Sequence, residues 1–289
     1  MAPSINMRER LPEWLRRKVP RESSVETRAI VDKYNLHTVC ESAQCPNKSE
    51  CFSNKTATFM ILGDVCTRNC GFCAVQNGDV TPLDSDEPMR VAQAVRDMGL
   101  LYVVITSVTR DDLPRGGAEQ FAETVHAIKS LVPNAIVEVL IPDCQGNGAA
   151  LDIICKSPIS VCNHNVETVP RLYSMVRPQA EYQRSLNLLK YVKTMYPMIK
   201  TKSGIMVGLG ESAAEVKGVL LDLQEVDCDI VTIGQYLRPS DDNLAISRFV
   251  HPDEFDQYSE YGKSLGIPCV FSGPYVRSSY HADRLSLNQ

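Results

Sequence analysis

Six cysteines fall into two groups whose spacing suits metal chemistry. Cys66-Thr-Arg-Asn-Cys70-Gly-Phe-Cys73 places three thiols within eight residues, on a loop that Gly71 lets bend. Cys40-x4-Cys45-x5-Cys51 places three more in the segment before it, where Pro46 and Asn47 favour a loop over a packed strand. Soft thiolates select zinc, copper(I) or iron–sulfur clusters. A tetrahedral zinc site takes four ligands, and no fourth Cys or His lies near Cys66, Cys70 and Cys73, although His37 is a candidate fourth ligand from elsewhere in the chain. A cubane cluster held by three cysteines leaves one iron open to a small molecule. Cys40, Cys45 and Cys51 are open to either a second cluster or a zinc ion, with spacing favouring the cluster.

The remaining five cysteines, Cys144, Cys155, Cys162, Cys228 and Cys269, lie in or beside apolar runs without ligand spacing and read as buried hydrophobes. Eleven is an odd number, so a complete disulfide framework is excluded. The N-terminus lacks the apolar core of a secretory signal, and Glu9 and Glu13 are out of place in a transit peptide. A reducing cytoplasm is the expected compartment. The longest apolar run, 100–106, is far too short to cross a membrane, and a net charge of −5 over 289 residues argues against nucleic-acid binding by bulk charge.

Positioning these loops is the work of an alternating pattern that begins near Thr56. Apolar, β-branched runs occur at 57–62, 101–107, 136–141, 159–162, 205–207, 230–233 and 269–271. Helical periodicity fills the gaps: a helix opened by Pro88 with Ser85 or Asp86 as cap and Met89, Ala92, Val95 and Met98 as its apolar face, then 118–131, 149–155, 182–195, 213–225 and 252–265. Repeated strand–helix units imply parallel pairing with right-handed crossovers, and six or seven of them fit a partial (β/α)6-type TIM barrel. A doubly wound open sheet is the alternative. Three parts follow: an N-terminal extension over 1–55, a barrel over 56–272 and a tail over 273–289. In either fold the ligand site belongs at the C-terminal strand ends.

C-x3-C-x2-C directly after the first barrel strand resembles the signature of the radical S-adenosylmethionine (SAM) enzymes. With the preceding triad, the tail motif Arg277-Ser278-Ser279-Tyr280 and the early Leu11-Pro12-Glu13-Trp14-Leu15, the chain resembles the lipoyl synthases over nearly its whole length. The resemblance implies two 4Fe–4S clusters. Cys66, Cys70 and Cys73 would hold the one that binds SAM. Cys40, Cys45, Cys51 and Ser279, with Ser278 as fallback, would hold an auxiliary cluster. It further implies insertion of two sulfur atoms, at C6 and C8 of an octanoyl chain on a carrier-protein lysine, with the auxiliary cluster as sulfur donor. The implied partners are an octanoylated lipoyl carrier domain (the E2 subunit of a 2-oxoacid dehydrogenase, or the H protein of glycine cleavage), a ferredoxin or flavodoxin type reductant and an iron–sulfur cluster carrier protein. Another sulfur-inserting radical SAM enzyme and a ferredoxin-like two-cluster electron carrier are the rival functions.

Further candidates sit at predicted strand ends. Arg115-Gly116-Gly117-Ala118 resembles the radical SAM stretch that holds the methionyl amino group, with Ala118 in place of an acid. Thr106, Ser107, Asn163, His164, Asn165 and Glu167 are candidate cofactor contacts, and Arg177 and Arg238 candidate partners of the SAM carboxylate. Gly208-Leu-Gly210-Glu211-Ser-Ala213, with Asp229 beyond it, is a loose dinucleotide fingerprint that the resemblance places, with Glu211, near SAM. Residues 1–21 carry Arg8, Arg10, Arg16, Arg17, Lys18 and Arg21 against Glu9 and Glu13, a local +4 suited either to an acidic carrier or to solvent.

Overall fold

In the computed structural model, which describes residues 11–16, 24–54, 56–280 and 282, the strand and helix runs alternate as the sequence predicts. The repeating elements are β1 (Thr58–Ile61), α1 (Glu87–Met98), β2 (Tyr102–Ser107), α2 (Ala118–Leu131), β3 (Ile136–Leu140), α3 (Gly148–Lys156), β4 (Val161–Asn163), α4 (Tyr182–Met195), β5 (Lys200–Val207), α5 (Ala213–Glu225), β6 (Ile230–Gln235), α6 (Pro252–Ser264) and β7 (Cys269–Gly273). Local signals explain several boundaries. Gly99, left-handed at φ 68°, ends α1; Ser212 and Glu215 cap α5 reciprocally; Asn147 Oδ1 accepts two N–H groups at the start of α3. Met89 departs from the expected apolar face of α1: it is exposed, and Pro88, Val91, Ala92 and Val95 face inward instead.

Each of β1 to β7 pairs in parallel with the next, and the sheet order is sequential throughout. A doubly wound sheet reverses its strand order at a switch point. None exists here, so the arrangement is the partial barrel. One strand is unanticipated: His37–Thr38, only two residues long, adds antiparallel to β1.

Register separates two faces, because side chains alternate along a strand. Phe59, Ile61, Val103, Ile105, Val137, Val139, Ile205, Val207, Val231 and Ile233 share the outer face and pack with the helices in one apolar core. Thr58, Thr106, Glu138, Asn163, Lys202 and Thr232 share the inner face, buried and polar. Buried charge needs a partner. Lys202 Nζ reaches both Glu138 oxygens (2.9 and 3.0 Å), to which Asn163 Nδ2 and Tyr102 OH also donate (2.9 and 2.6 Å). The two buried charges inside the barrel are thereby paired with each other.

Candidate functional site

The chain leaves β1 through Leu62 and Gly63, both left-handed (φ 70° and 92°). Leu62 is a poor residue for that conformation and is clamped: its N–H donates to Glu87 Oε2 (2.9 Å) and its carbonyl accepts from Arg110 Nη1 (3.3 Å). Gly117 makes room for it, since a Cβ there would stand 2.5 Å from a Leu62 methyl. Beyond this bend, Val65–Cys66 pairs with Gln76–Asn77, closing the loop that carries Cys66, Cys70 and Cys73.

Four segments grip that loop. Thr67 N and Oγ1 both donate to the Thr109 carbonyl (3.0 and 2.9 Å). Arg68, almost fully buried, donates to Asp111 through Nε and Nη2 (2.6 and 2.9 Å) and to Asp143 through Nη2 (2.7 Å), while Arg184 approaches the other Asp143 oxygen at 3.1 Å. Gly71 N donates to the Val176 carbonyl (3.0 Å), and Leu244 N and Asn243 Nδ2 donate to the Gly71 and Cys73 carbonyls (2.9 and 2.8 Å). A Cβ on Gly71 would press on Leu244 and the Met175 carbonyl at 2.9–3.1 Å, which explains the glycine between the cysteines.

The sulfurs receive backbone donors. Arg68 N and Thr109 N point at Cys66 Sγ (3.4 and 3.3 Å), and Val75 N at Cys73 Sγ (3.4 Å). Burial pushes the Cys73 thiol up to about 12 and raises Cys70, against the pull of the Arg177 charge. As free thiols these groups keep their protons at neutral pH; a bound cation displaces them.

The other triad lies on the N-terminal segments Val39–Ser42 and Lys48–Ser53 and the turn between them. Cys40, Cys45 and Cys51 line a pocket whose remaining wall includes Thr58, Arg277, Ser279 and Tyr280. Burial raises Cys40 to about 11 and Cys51 to about 12. Chain ends more than two hundred residues apart meet here: Asn47 Nδ2 donates to the Tyr275 carbonyl (2.8 Å), Tyr280 OH to Glu50 Oε1 (2.7 Å) and Tyr275 OH to the Leu15 carbonyl (2.6 Å). Ser278, the fallback, points elsewhere, its hydroxyl donating to Asn165 Oδ1 at 2.9 Å. No cysteine is in a disulfide. Among the described residues, no group of three or more His, Cys, Asp or Glu side chains is arranged to hold a metal ion. The donor set, all soft sulfur plus one hydroxyl and spread around a pocket, fits a cluster.

The other sequence candidates divide. Arg177, Glu167 and Asn165 come together beside the barrel triad: Arg177 Nη1 donates to the Asn165 carbonyl (2.9 Å), Asn165 Nδ2 to Glu167 Oε1 (3.0 Å), and both charges act on Cys70. Thr106 and Asn163 face inward, and Asn163 Oδ1, Ser107 Oγ and Arg177 Nε are buried without a partner among the described residues. Orphaned buried groups of this kind, two at strand ends and Arg177 just after the helical turn 173–176, are what a polar ligand satisfies.

His164 does not join them. One residue from Asn163, it faces the helix layer, where Nδ1 and Nε2 are taken by the Ile141 carbonyl and Ser185 Oγ (2.8 and 2.9 Å). Glu211 folds onto its own loop, accepting from Gly208 N and Leu209 N (2.6 and 2.9 Å). Arg238 braces the 238–243 loop through the Asn243 and Asp241 carbonyls. Gly117 serves packing against Leu62, and Gly116, left-handed at φ 60°, lies in the loop before it. Of the basic N-terminal residues, only Arg16 is among the described residues. Sequence reasoning missed Arg68, although a charge between two ligand cysteines needs a buried partner and so was a usable signal; Asp143 and Asn243 carried none.

Residues 60–223 match the family model described as the radical SAM superfamily. The chain is 56% identical over 277 residues to a lipoyl synthase of Caldanaerobacter subterraneus subsp. tengcongensis (96% of this chain, 97% of that one). It is 54% identical over 274 residues to a lipoyl synthase of Oleidesulfovibrio alaskensis (94% of each). In fold it is similar to the crystal structure of Streptococcus suis SuiB bound to precursor peptide SuiA, with a TM-score of 0.58 at 14% identity, over 86% of this chain and about half of that one (52%). Radical SAM membership implies a 4Fe–4S cluster and SAM. This chain belongs to the lipoyl synthase family of radical SAM enzymes.

Proposed function

We propose that the protein inserts two sulfur atoms, at C6 and C8, into an octanoyl chain borne on a lysine of a lipoyl carrier domain. In this reading Cys66, Cys70 and Cys73 hold the cluster that binds SAM, and Cys40, Cys45, Cys51 and Ser279 hold an auxiliary cluster that supplies the sulfur. The observation that carries it is the second pocket, where a serine from the far end of the chain joins three N-terminal cysteines. When bound, the clusters and SAM supply a radical that removes an aliphatic hydrogen and a sulfide that replaces it, chemistry beyond any side-chain acid or base.

The chain's own residues bind, orient and exclude water. The N–H groups of Arg68, Thr109 and Val75 stabilise charge on the cysteine sulfurs. Arg177 Nε and Asn163 Oδ1 offer unsatisfied polar contacts to SAM. Ser279 gives a hard oxygen to a soft cluster, a ligand suited to letting go. An octanoylated carrier, a low-potential reductant and a cluster carrier protein are the partners this reading requires. No described helix is long and apolar enough to cross a membrane.

The test is anaerobic reconstitution, followed by SAM cleavage under reduction and mass analysis of an octanoylated carrier domain. The reading predicts a lipoyl product. SAM cleavage without sulfur on the carrier points to another radical SAM sulfur inserter, and two clusters without SAM cleavage to an electron carrier. Ser279→Cys is expected to keep iron while losing most sulfur transfer.

A further inference from the structure

Arg277, Ser278, Ser279 and Tyr280 form a four-residue turn, closed by Tyr280 N donating to the Arg277 carbonyl at 3.0 Å. The two serines are its central residues, and the turn is tethered in three directions. Tyr280 OH donates to Glu50, next to Cys51; Ser279 lines the cysteine pocket; Ser278 OH donates to Asn165 Oδ1. The turn reaches the barrel interior because two inner-face residues are glycine. A Cβ on Gly204 would stand 2.8 Å from Asn165 Oδ1 and 3.0 Å from Ser278 Oγ, and one on Gly234 would stand 2.1 Å from the Val276 carbonyl.

Asn165 is the residue where the two sites touch. Its Oδ1 accepts from Ser278, its Nδ2 donates to Glu167, and its carbonyl accepts from Arg177. Glu167 and Arg177 are the charges that act on Cys70. A run of hydrogen bonds therefore leads from Arg177 and Glu167, whose charges act on Cys70 through space, to the residue beside Ser279.

We propose that Ser278 is a positioning residue: through Asn165 it fixes the aim of Ser279 at the Cys40–Cys45–Cys51 pocket and ties that aim to Glu167 and Arg177. This rests on the reading of the two pockets given above. The physical basis is the rigidity of the peptide between the two serines, which moves as one plate. Holding one side chain of the turn orients the other. Removing the Ser278 hydroxyl frees the plate to rotate and leaves Asn165 Oδ1 buried without that donor. In the reading above, SAM would meet the orphaned Arg177 Nε, at the other end of the same run.

The experiment uses the full chain, with Ser278→Ala, Asn165→Asp and the double variant. Asn165→Asp keeps an acceptor for Ser278 but replaces the amide that donates to Glu167. The first readout is amide hydrogen exchange over 275–280, without and with SAM. Wild type is expected to become more protected on SAM addition; both single variants are expected to start less protected and to respond little. The second is 5′-deoxyadenosine formed per lipoyl product, expected to rise roughly fivefold to tenfold in each single variant, the factor a net hydrogen bond is worth. The double variant is expected to be no worse than either single, as members of one run must be. Equal loss of SAM cleavage and product, with an unchanged ratio and a wild-type exchange response, overturns the positioning role while leaving the function intact. Failure of the wild-type protein to form lipoyl product overturns the underlying reading instead.

Discussion

Arg68→Met removes the guanidinium that bolts the cysteine loop to the strand ends. Three charge-assisted bonds disappear, and the fully buried Asp143 carboxylate keeps only Arg184 Nη1 and Gln145 N, each at 3.1 Å. Breaking a buried ion pair by deleting one partner costs about 3–5 kcal/mol. The retained contacts favour the lower end, about 3 kcal/mol, which corresponds to a fall in Tm of about 6–12 °C for a domain of this size.

The pH dependence is more diagnostic. Burial alone pushes Asp143 up, and the Arg68 hydrogen bond and charge outweigh it, holding the carboxyl down to about 2. An unfolded aspartate titrates near ~3.9, so the unfolded chain takes up this proton first as pH falls. The wild-type contribution is thus complete above about pH 4 and is lost on the way down to about 2. In Arg68→Met the carboxyl titrates higher, and protonation relieves the uncompensated charge. Anaerobic denaturant melts from pH 7 to pH 3 should show a stability gap that is widest at pH 7 and narrows with acid. Arg68→Lys, with one charge but no fork, should recover about half of it. A gap below about 1 kcal/mol, or one constant across this range, refutes the reasoning.

His164 works in the same direction at higher pH. Burial and the Arg177 charge hold it down to about 4, so below about pH 6.5 the unfolded chain binds a proton the folded one refuses. Stability should fall by about 3 kcal/mol as pH drops from 6.5 to 4, and His164→Gln should flatten that limb; an unchanged slope counts against the buried neutral imidazole. Gly234→Ala drives a Cβ into the Val276 carbonyl and should dislodge the tail, with auxiliary iron falling to under half while barrel-cluster iron stays. Mössbauer spectra of the reconstituted variant check this, and equal loss from both sites contradicts it.

Much of this architecture is written locally. The helices over 118–131, 182–195 and 213–225 begin and end where periodicity places them, because that signal acts within a few residues. β5 begins five residues before the expected 205 because Lys202, buried against Glu138, looks like a loop residue until its partner on another strand is known. The strand at His37–Thr38 is too short to carry a period. At the site, the cysteines were legible from type and spacing. His164 was not, since a single strand does not reveal which of two neighbours faces inward, and Asn163 and His164 differ only in that phase. Around Glu211 and Arg238 the structure adds what sequence leaves out: nearby backbone groups compete with any ligand for a charged side chain, and sequence shows the charge without the competitor. The Ser278–Asn165 contact spans the chain and leaves no local trace.

The most direct measurement is iron and acid-labile sulfide per chain in the wild type and in two triple variants, Cys40→Ala/Cys45→Ala/Cys51→Ala and Cys66→Ala/Cys70→Ala/Cys73→Ala. Two independent pockets predict roughly eight iron atoms in the wild type and about half in each variant. The N-terminal variant should still cleave SAM while forming no lipoyl product. Full iron in either variant, or lipoyl product from the N-terminal one, contradicts the account.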